Sequence, residues 1–182
     1  MDHSKQDLKL QNKQMDTARE NYLRLKKEIN LWHEEKGPIW ADSLQAASSF
    51  PLFTLDSLPQ EAVIELWQRL NKAAGKEVNG ETLQNLWDEF KAGSSIPEHT
   101  LLSCLHLALA GVAQLFRLKL GLEDSGEDQP FGPCPVCGEE GAIATLVPPV
   151  GKRFLHCIIC GHDRPVKATG CIQCGSEQPD RQ

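Results

Sequence analysis

The sequence lacks an uninterrupted apolar run long enough to cross a membrane. Its longest apolar stretch, Leu101 to Phe116, is broken by polar residues and by Gly111. It also falls short of the roughly 20 residues that a bilayer-spanning helix requires. The first residues show no positively charged region followed by an apolar one, which is the pattern of a secretory signal. We therefore expect a cytoplasmic protein without a membrane span, in which Leu101 to Phe116 forms a buried helix.

An excess of positive charge is also missing. The 182 residues include 19 Lys and Arg against 25 Asp and Glu, for a formal net charge of -6. Residues 131 to 182 are balanced, with five side chains of each sign. Binding to nucleic-acid phosphates usually needs a basic surface. The charge pattern therefore argues against a nucleic-acid partner.

Motifs of common active sites are missing as well. The sequence contains no Gly-rich phosphate loop, nucleophile elbow or paired-carboxylate site. Cys104 and His106 could suggest catalysis, but side chains two apart on a helix do not face each other. Cys104 is better interpreted as a core cysteine. We expect a protein that is not an enzyme.

Cysteine is the residue type that the sequence uses in a distinctive way. Six of the seven cysteines form three pairs, Cys134/Cys137, Cys157/Cys160 and Cys171/Cys174, each with two residues between the cysteines and a glycine after the second. This spacing lets two thiolates reach one ion about 2.3 Å away. The following glycine can adopt the positive φ that the turn requires. In a reducing compartment such pairs hold metal more often than they form disulfides.

The first two pairs predict a closed metal site. Nineteen residues separate Cys137 from Cys157, enough for one β-hairpin. Such a site is a tetrathiolate of the zinc-ribbon or rubredoxin kind, and its four sulfurs leave no open coordination position. A structural role is therefore favoured over catalysis. Zinc and iron both accept four sulfurs in a tetrahedron, so the cofactor is predicted to be iron or zinc.

The third pair, Cys171 and Cys174, has no fourth pair after it. Three explanations stay open: pairing with the same residues of another chain in a homodimer, recruitment of His156 or His162, or a free dithiol. For His162 itself, a solvated loop position is the favoured interpretation. A free dithiol would suit a thiol redox protein, although the βαβ setting typical of such proteins is missing.

Four helices are predicted before the cysteine pairs, and the fourth is apolar almost all round, as expected of a helix in the centre of a bundle. Apolar residues recur at helical spacing from Ala18 to Trp32 and predict the first helix, which Gly37-Pro38 should end. The second helix is expected to be capped by Ser57, with Gln60 three residues on, and the fourth by Ser95, with Glu98 three residues on. A third helix is expected after Asn79-Gly80. The four tryptophans are interpreted mostly as core residues: Trp32, Trp40, Trp67 and Trp87.

The expected architecture is mainly α, with an N-terminal helical bundle followed by a small rubredoxin-like or zinc-ribbon β module. Its predicted parts are a loose segment (1–15), a helical domain (16–120), an acidic linker (121–133) and a cysteine-rich module (134–182). Strands are predicted at 143–147 and 153–156, with a further one at 166–169. So small a module has few large apolar side chains, and bound metal should supply much of its folding energy.

The order of these features resembles that of the formate dehydrogenase accessory proteins, the FdhE family. The resemblance lies in the helical front, the acidic linker, the Cys-Pro-Val-Cys-Gly start at Cys134, the segment Arg153 to Cys160 and the third pair. It is specific from Phe131 to Gly175 and weaker over residues 16 to 120. The family pattern continues through a fourth cysteine pair, which is missing here.

The resemblance implies a cytoplasmic maturation factor rather than an enzyme. Its expected partner is the catalytic subunit of a molybdenum or tungsten formate dehydrogenase. All six paired cysteines would occupy metal-binding positions of the family, for iron or zinc. A nucleic-acid-binding zinc ribbon and a thiol redox protein are the alternative functions.

Overall fold

The structure is a computed structural model that describes residues 3–43, 45–122, 132–149 and 151–167, together with Cys171 and Ser176; the side chains of residues 3–12 are outside this description. The chain divides into two compact units. One consists of Met1–Gly37 and Ile64–Ala108, and the other of Pro38–Val63 and Leu109–Gln182.

Helix α1, His3–Ala41, is longer than predicted at both ends. Residues from His3 onward are helical although the segment 1–15 was expected to be loose. The predicted end at Gly37-Pro38 is wrong, because Pro38 lies inside the helix. Proline lacks the N–H that would bond one turn back, but one missing bond near the end of a helix leaves the final turn in place. The change of compact unit falls between Gly37 and Pro38.

The other three helices are α2 (Gln60–Ala73), α3 (Gly80–Lys91) and α4 (His99–Lys119). Helix α3 begins after Asn79 as predicted, and Asn79 caps it, since its side chain accepts from the N–H of Thr82 at 2.7 Å. The capping of α2 and α4 differs from the prediction. Ser57 closes a 3-10 turn by bonding to Thr54. For α4, the Glu98 carboxylate accepts from the Leu101 N–H at 2.8 Å.

Tryptophans anchor the core of the first unit, as the sequence predicted. Trp32 and Trp67 are fully buried and Trp87 is 5% exposed. The indole Nε1 of Trp67 donates to the carbonyl of Leu101 at 2.8 Å, which ties α2 to the first turn of α4. Trp40 is only half-buried.

Helix α4 is the most apolar helix of the protein. By length and composition it could cross a membrane, with a mean hydropathy of 1.6 over its best window, yet 56% of that window is buried. Leu105, Val112 and Phe116 are fully buried, as expected of a core helix. The absence of a membrane span stays a prediction.

Three antiparallel strands follow: β1 (Ala142–Val147), β2 (Lys152–Cys157) and β3 (Asp163–Val166), in the order β1-β2-β3. The predicted hairpin is confirmed, with Ala142 opposite Cys157. The third strand lies three residues earlier than the sequence predicted. Pro165 is tolerated in β3, which is an edge strand. Proline has no N–H, but the N–H at this position is not needed for pairing with β2.

The outer edge of β1 carries main-chain groups that do not bond to β2. The N–H of Ile158 donates to the carbonyl of Gly141, so these two residues form a hydrogen-bonded pair. Hydrogen-bonded and non-hydrogen-bonded pairs alternate along two antiparallel strands, and the next pair, Ala142 with Cys157, is therefore not hydrogen-bonded. Ala142, Ala144 and Leu146 therefore direct their N–H and C=O groups away from β2. No residue in the described part of the chain bonds to these groups.

The boundaries of the two compact units differ from those of the predicted domains. The segment Pro38–Val63 and the second half of α4 group with the strands and cysteines. Most of the predicted acidic linker, residues 123–131, lies outside the described residues.

Candidate metal centre

Two turns of the same design carry the first four cysteines. The N–H of Cys134 donates to the carbonyl of Glu139 at 2.8 Å, and the N–H of Cys157 donates to that of His162 at 2.9 Å. In each turn the glycine after the second cysteine donates back to the carbonyl of the first. Gly138 and Gly161 adopt φ of 77° and 69°, the left-handed region that glycine enters without steric penalty.

The β1–β2 hairpin brings the two turns together. The sulfurs of Cys134 and Cys160 lie 3.6 Å apart, as do those of Cys137 and Cys157. All four lie within 4.8 Å of one another. An ion with metal–sulfur bonds of about 2.3 Å needs sulfurs about 3.8 Å apart at the corners of a tetrahedron. The four thiols therefore fit a tetrahedral ion, and zinc and iron are the metals that such a sulfur set holds.

Burial closes this site to solvent. The four cysteines are between 0% and 5% exposed. Four protein sulfurs complete a tetrahedron, so neither water nor substrate can reach a coordination position. The arrangement can hold an ion and stabilise the fold around it.

The four thiols also interact electrostatically, because two pairs of sulfurs, Cys134 with Cys160 and Cys137 with Cys157, lie 3.6 Å apart and all four lie within 4.8 Å of one another. The hydrogen bond with Cys137 lowers the pKa of Cys134 to about 7. The pKa of Cys157 is lowered too, mainly by Cys134. The pKa values of Cys137 and Cys160 are raised, mainly by their hydrogen bonds with Cys134. These two thiols keep their protons, because ionising them would place further negative charge beside the neighbouring thiolates. A bound cation removes this conflict, since all four sulfurs can then be thiolates.

Helix α4 contacts the second turn with two polar side chains one turn apart. Arg117 Nε donates to the carbonyl of Cys160 at 2.9 Å, and Gln114 Nε2 approaches the carbonyl of Ile159 at 3.5 Å. The first turn is contacted by another segment of the same unit, since the N–H of Phe53 donates to the carbonyl of Val136 at 3.1 Å. The sequence reasoning missed these residues. The signal that could have found the two helical residues was a polar pair spaced three apart within the apolar stretch from Leu107 to Leu118.

The two histidines near the site have different surroundings. His156 Nδ1 lies 2.8 Å from a carboxylate oxygen of Asp163. His162 is only 8% exposed, so its interpretation as a solvated loop residue is wrong. Burial, with Arg117 and Arg164 nearby, lowers the pKa of His162 and favours the neutral ring.

The third cysteine pair is only partly described. The N–H of Cys171 donates to the carbonyl of Ser176 at 2.9 Å. The donor and the acceptor are five positions apart, as they are in the bonds that close the turns of Cys134 and Cys157. Cys174 lies outside the described residues. The role of Cys171 and Cys174 as metal ligands stays a prediction.

Cys104 belongs to the first unit, whereas the four clustered cysteines belong to the second. It is 1% exposed, and burial raises the pKa of its thiol. His106 is exposed. The interpretation of Cys104 as a core cysteine is confirmed.

The geometry therefore defines a small β module with a cysteine cluster that could bind a metal, compatible with a zinc ribbon. Comparisons of the chain with protein-family models, curated proteins and solved structures gave no match.

Proposed function

We propose that this chain is a metal-stabilised maturation factor that binds the catalytic subunit of a molybdenum or tungsten formate dehydrogenase and supports its assembly or activation. The observation that carries the non-enzymatic part is the closed tetrathiolate, whose four cysteines are at most 5% exposed. The choice of partner rests on the sequence resemblance to the FdhE family.

In this proposal the ion holds the module in shape and takes no part in chemistry. A site with four protein sulfurs has no position for a reacting molecule. The module instead offers a fixed surface for docking the immature enzyme subunit. Cytoplasmic location is part of the same proposal, because thiolates bind metal in a reducing compartment.

The charge of the chain agrees with a protein partner better than with a nucleic acid. The net charge is -6. A zinc ribbon that binds DNA or RNA through phosphates would be expected to carry a basic surface.

The experiment is complementation in a host that makes a formate dehydrogenase and from which the gene for this chain has been deleted. The wild-type chain should restore formate dehydrogenase activity and should copurify with the catalytic subunit. Cys157→Ser should lose both, because three sulfurs no longer close the site. Unchanged formate dehydrogenase activity after deletion would refute the proposal.

A double variant, Cys171→Ser with Cys174→Ser, separates docking from thiol chemistry. If the module serves as a docking surface, the variant should still bind the catalytic subunit and retain substantial maturation. Full loss of maturation with folding and partner binding intact would instead support thiol chemistry by this pair.

A further inference from the structure

Two arginines hold the metal-binding turns by their main-chain carbonyls. Arg117, in the last turn of α4, donates from Nε to the carbonyl of Cys160 at 2.9 Å. Arg164, in β3, donates to the carbonyl of Pro133 at 2.7 Å and to that of Gly132. Gly132 and Pro133 directly precede Cys134. Each of the two cysteine turns is thus held by one guanidinium group.

Neither guanidinium has a carboxylate partner among the described residues. The ion pairs of the described chain involve Arg69 and several lysines but not Arg117 or Arg164. Arg164 is only 5% exposed. A buried cation is costly unless an opposite charge compensates for it.

The cysteine cluster becomes that opposite charge when it binds metal. Four thiolates around a divalent ion carry a net double negative charge, and around a trivalent ion a single one. The carbonyls of Cys160 and Pro133 belong to the ligand-bearing turns, so both cations lie beside the cluster.

We propose that Arg117 and Arg164 are positioning residues of the metal centre, which hold the two cysteine turns and compensate for the charge of a divalent tetrathiolate. They increase the affinity of the site for divalent ions and favour the divalent over the trivalent state of bound iron. This inference concerns the metal site alone and does not depend on the identity of the partner.

Arg117 offers the cleaner test, because it is only half-buried, whereas Arg164 is buried, and its loss should not prevent folding. Arg117→Gln removes the charge, whereas Arg117→Lys keeps it and changes the hydrogen-bond geometry. Lys119→Gln is the matched control. Lys119 is a cation in the same helical turn, and it bonds to Ala41 and Asp42 instead of a cysteine turn.

The first measurement is the affinity for Co²⁺ and Zn²⁺, obtained by competition with a chromophoric chelator on the full-length protein. Loss of an outer-shell partner typically weakens metal binding about 10- to 100-fold. Arg117→Gln should fall in that range, Arg117→Lys should lose less, and Lys119→Gln should match the wild type. The absorption of the Co²⁺ complex reports whether the tetrathiolate remains tetrahedral.

The second measurement is the reduction potential of the iron-loaded protein, in which an electrode supplies the electron that converts ferric to ferrous iron. Removing a positive charge makes the more negative ferrous site harder to form. The potential should therefore fall in Arg117→Gln and stay near the wild-type value in Arg117→Lys and Lys119→Gln.

Equal affinities and equal potentials for Arg117→Gln and Lys119→Gln would overturn the proposal. A potential that falls equally in Arg117→Lys and Arg117→Gln would also overturn it, because charge would then not be the cause. Arg164→Lys and Arg164→Gln extend the test to the first turn. If the Arg164 variants fail to fold, as judged by far-ultraviolet circular dichroism, the Arg117 series decides alone.

Discussion

The main-chain N–H of Phe53 donates to the carbonyl of Val136, 3.1 Å away, and joins the segment before α2 to the first cysteine turn. The Phe53 ring also packs edge-on against that of Phe116 in α4, with centroids 6.2 Å apart. One residue of an irregular segment thus contacts both a core helix and a metal-binding turn. The shape of the cysteine module therefore depends on residues more than 80 positions earlier in the chain.

The two glycines of the cysteine turns should differ in their tolerance of alanine. Both have positive φ, where a Cβ costs about 1–2 kcal/mol. A Cβ at Gly138 would also lie 3.3 Å from Cγ of Pro51, whereas at Gly161 the nearest atom would be 3.6 Å away. Gly138→Ala should therefore destabilise the metal-loaded protein more than Gly161→Ala in thermal unfolding. Equal losses would show that Pro51 yields without cost.

Metal analysis of the purified protein should give at least one ion per chain, bound by the first two cysteine pairs. Cys134→Ser or Cys160→Ser should abolish this ion. Chelation should then melt the strands of the module, because the ion supplies much of their folding energy. An ion-free protein with an ordered module, as judged by amide hydrogen exchange, would contradict the prediction.

The same stoichiometry tests the third cysteine pair. One ion per chain would leave Cys171 and Cys174 without metal. A value of one and a half would indicate a site shared by two chains, and that value should drop to one in Cys171→Ser. Two ions per chain would require additional ligands within the chain.

The two fully buried tryptophans should respond unequally to phenylalanine. The indole N–H of Trp67 bonds to the carbonyl of Leu101, while that of Trp32 has no partner among the described residues. Trp67→Phe removes a hydrogen bond, whose net contribution is about 0.5–1.5 kcal/mol, whereas Trp32→Phe removes an unsatisfied donor. We expect urea unfolding to show a larger loss for Trp67→Phe. A larger loss for Trp32→Phe would mean that its N–H is in fact satisfied.

Acid should reduce the contribution of Glu98 to stability. Its hydrogen bonds to Lys76 and to the first N–H groups of α4 lower its pKa to about 2 from an ordinary 4.5. A lowered pKa means that the carboxylate stabilises the folded state fully above about pH 4.5 and loses this effect as pH falls towards 2. The difference in stability between wild type and Glu98→Gln should therefore be largest at neutral pH.

Urea unfolding of the wild type and of Glu98→Gln at several pH values checks this prediction. Loss of metal in acid should destabilise both proteins alike and therefore cancels in their difference. A difference that stays constant down to pH 3 would argue against it. Lys76→Met should show a smaller pH effect of the same sign, because it removes only one of the partners of the carboxylate.

The sequence predicted those features that depend on local spacing. Two identical cysteine turns with a hairpin between them leave little choice, so the cluster of Cys134, Cys137, Cys157 and Cys160 followed from spacing alone. The start of the third helix after Asn79 and the core tryptophans are equally local, because side-chain type and helical period decide them.

Features that depend on distant contacts could not be predicted. The continuation of α1 through Pro38 conflicts with the local preference at that position. The burial of His162 and Arg164 depends on how α4 and the residues before Cys134 pack around the second turn. Nothing in the sequence near either residue signals that packing, because the groups involved lie more than 30 positions away.

The edge of β1 has a practical consequence for handling the protein. Its sequence, Ala-Ile-Ala-Thr-Leu-Val, contains neither charge nor proline, and Leu146 is 70% exposed. A strand edge of this composition, without a partner among the described residues, can template strand addition between molecules, so we expect concentrated samples to form β-rich aggregates. A lysine in place of Thr145 would act as a gatekeeper without touching the cysteine turns, and would suit crystallisation or spectroscopy at high concentration.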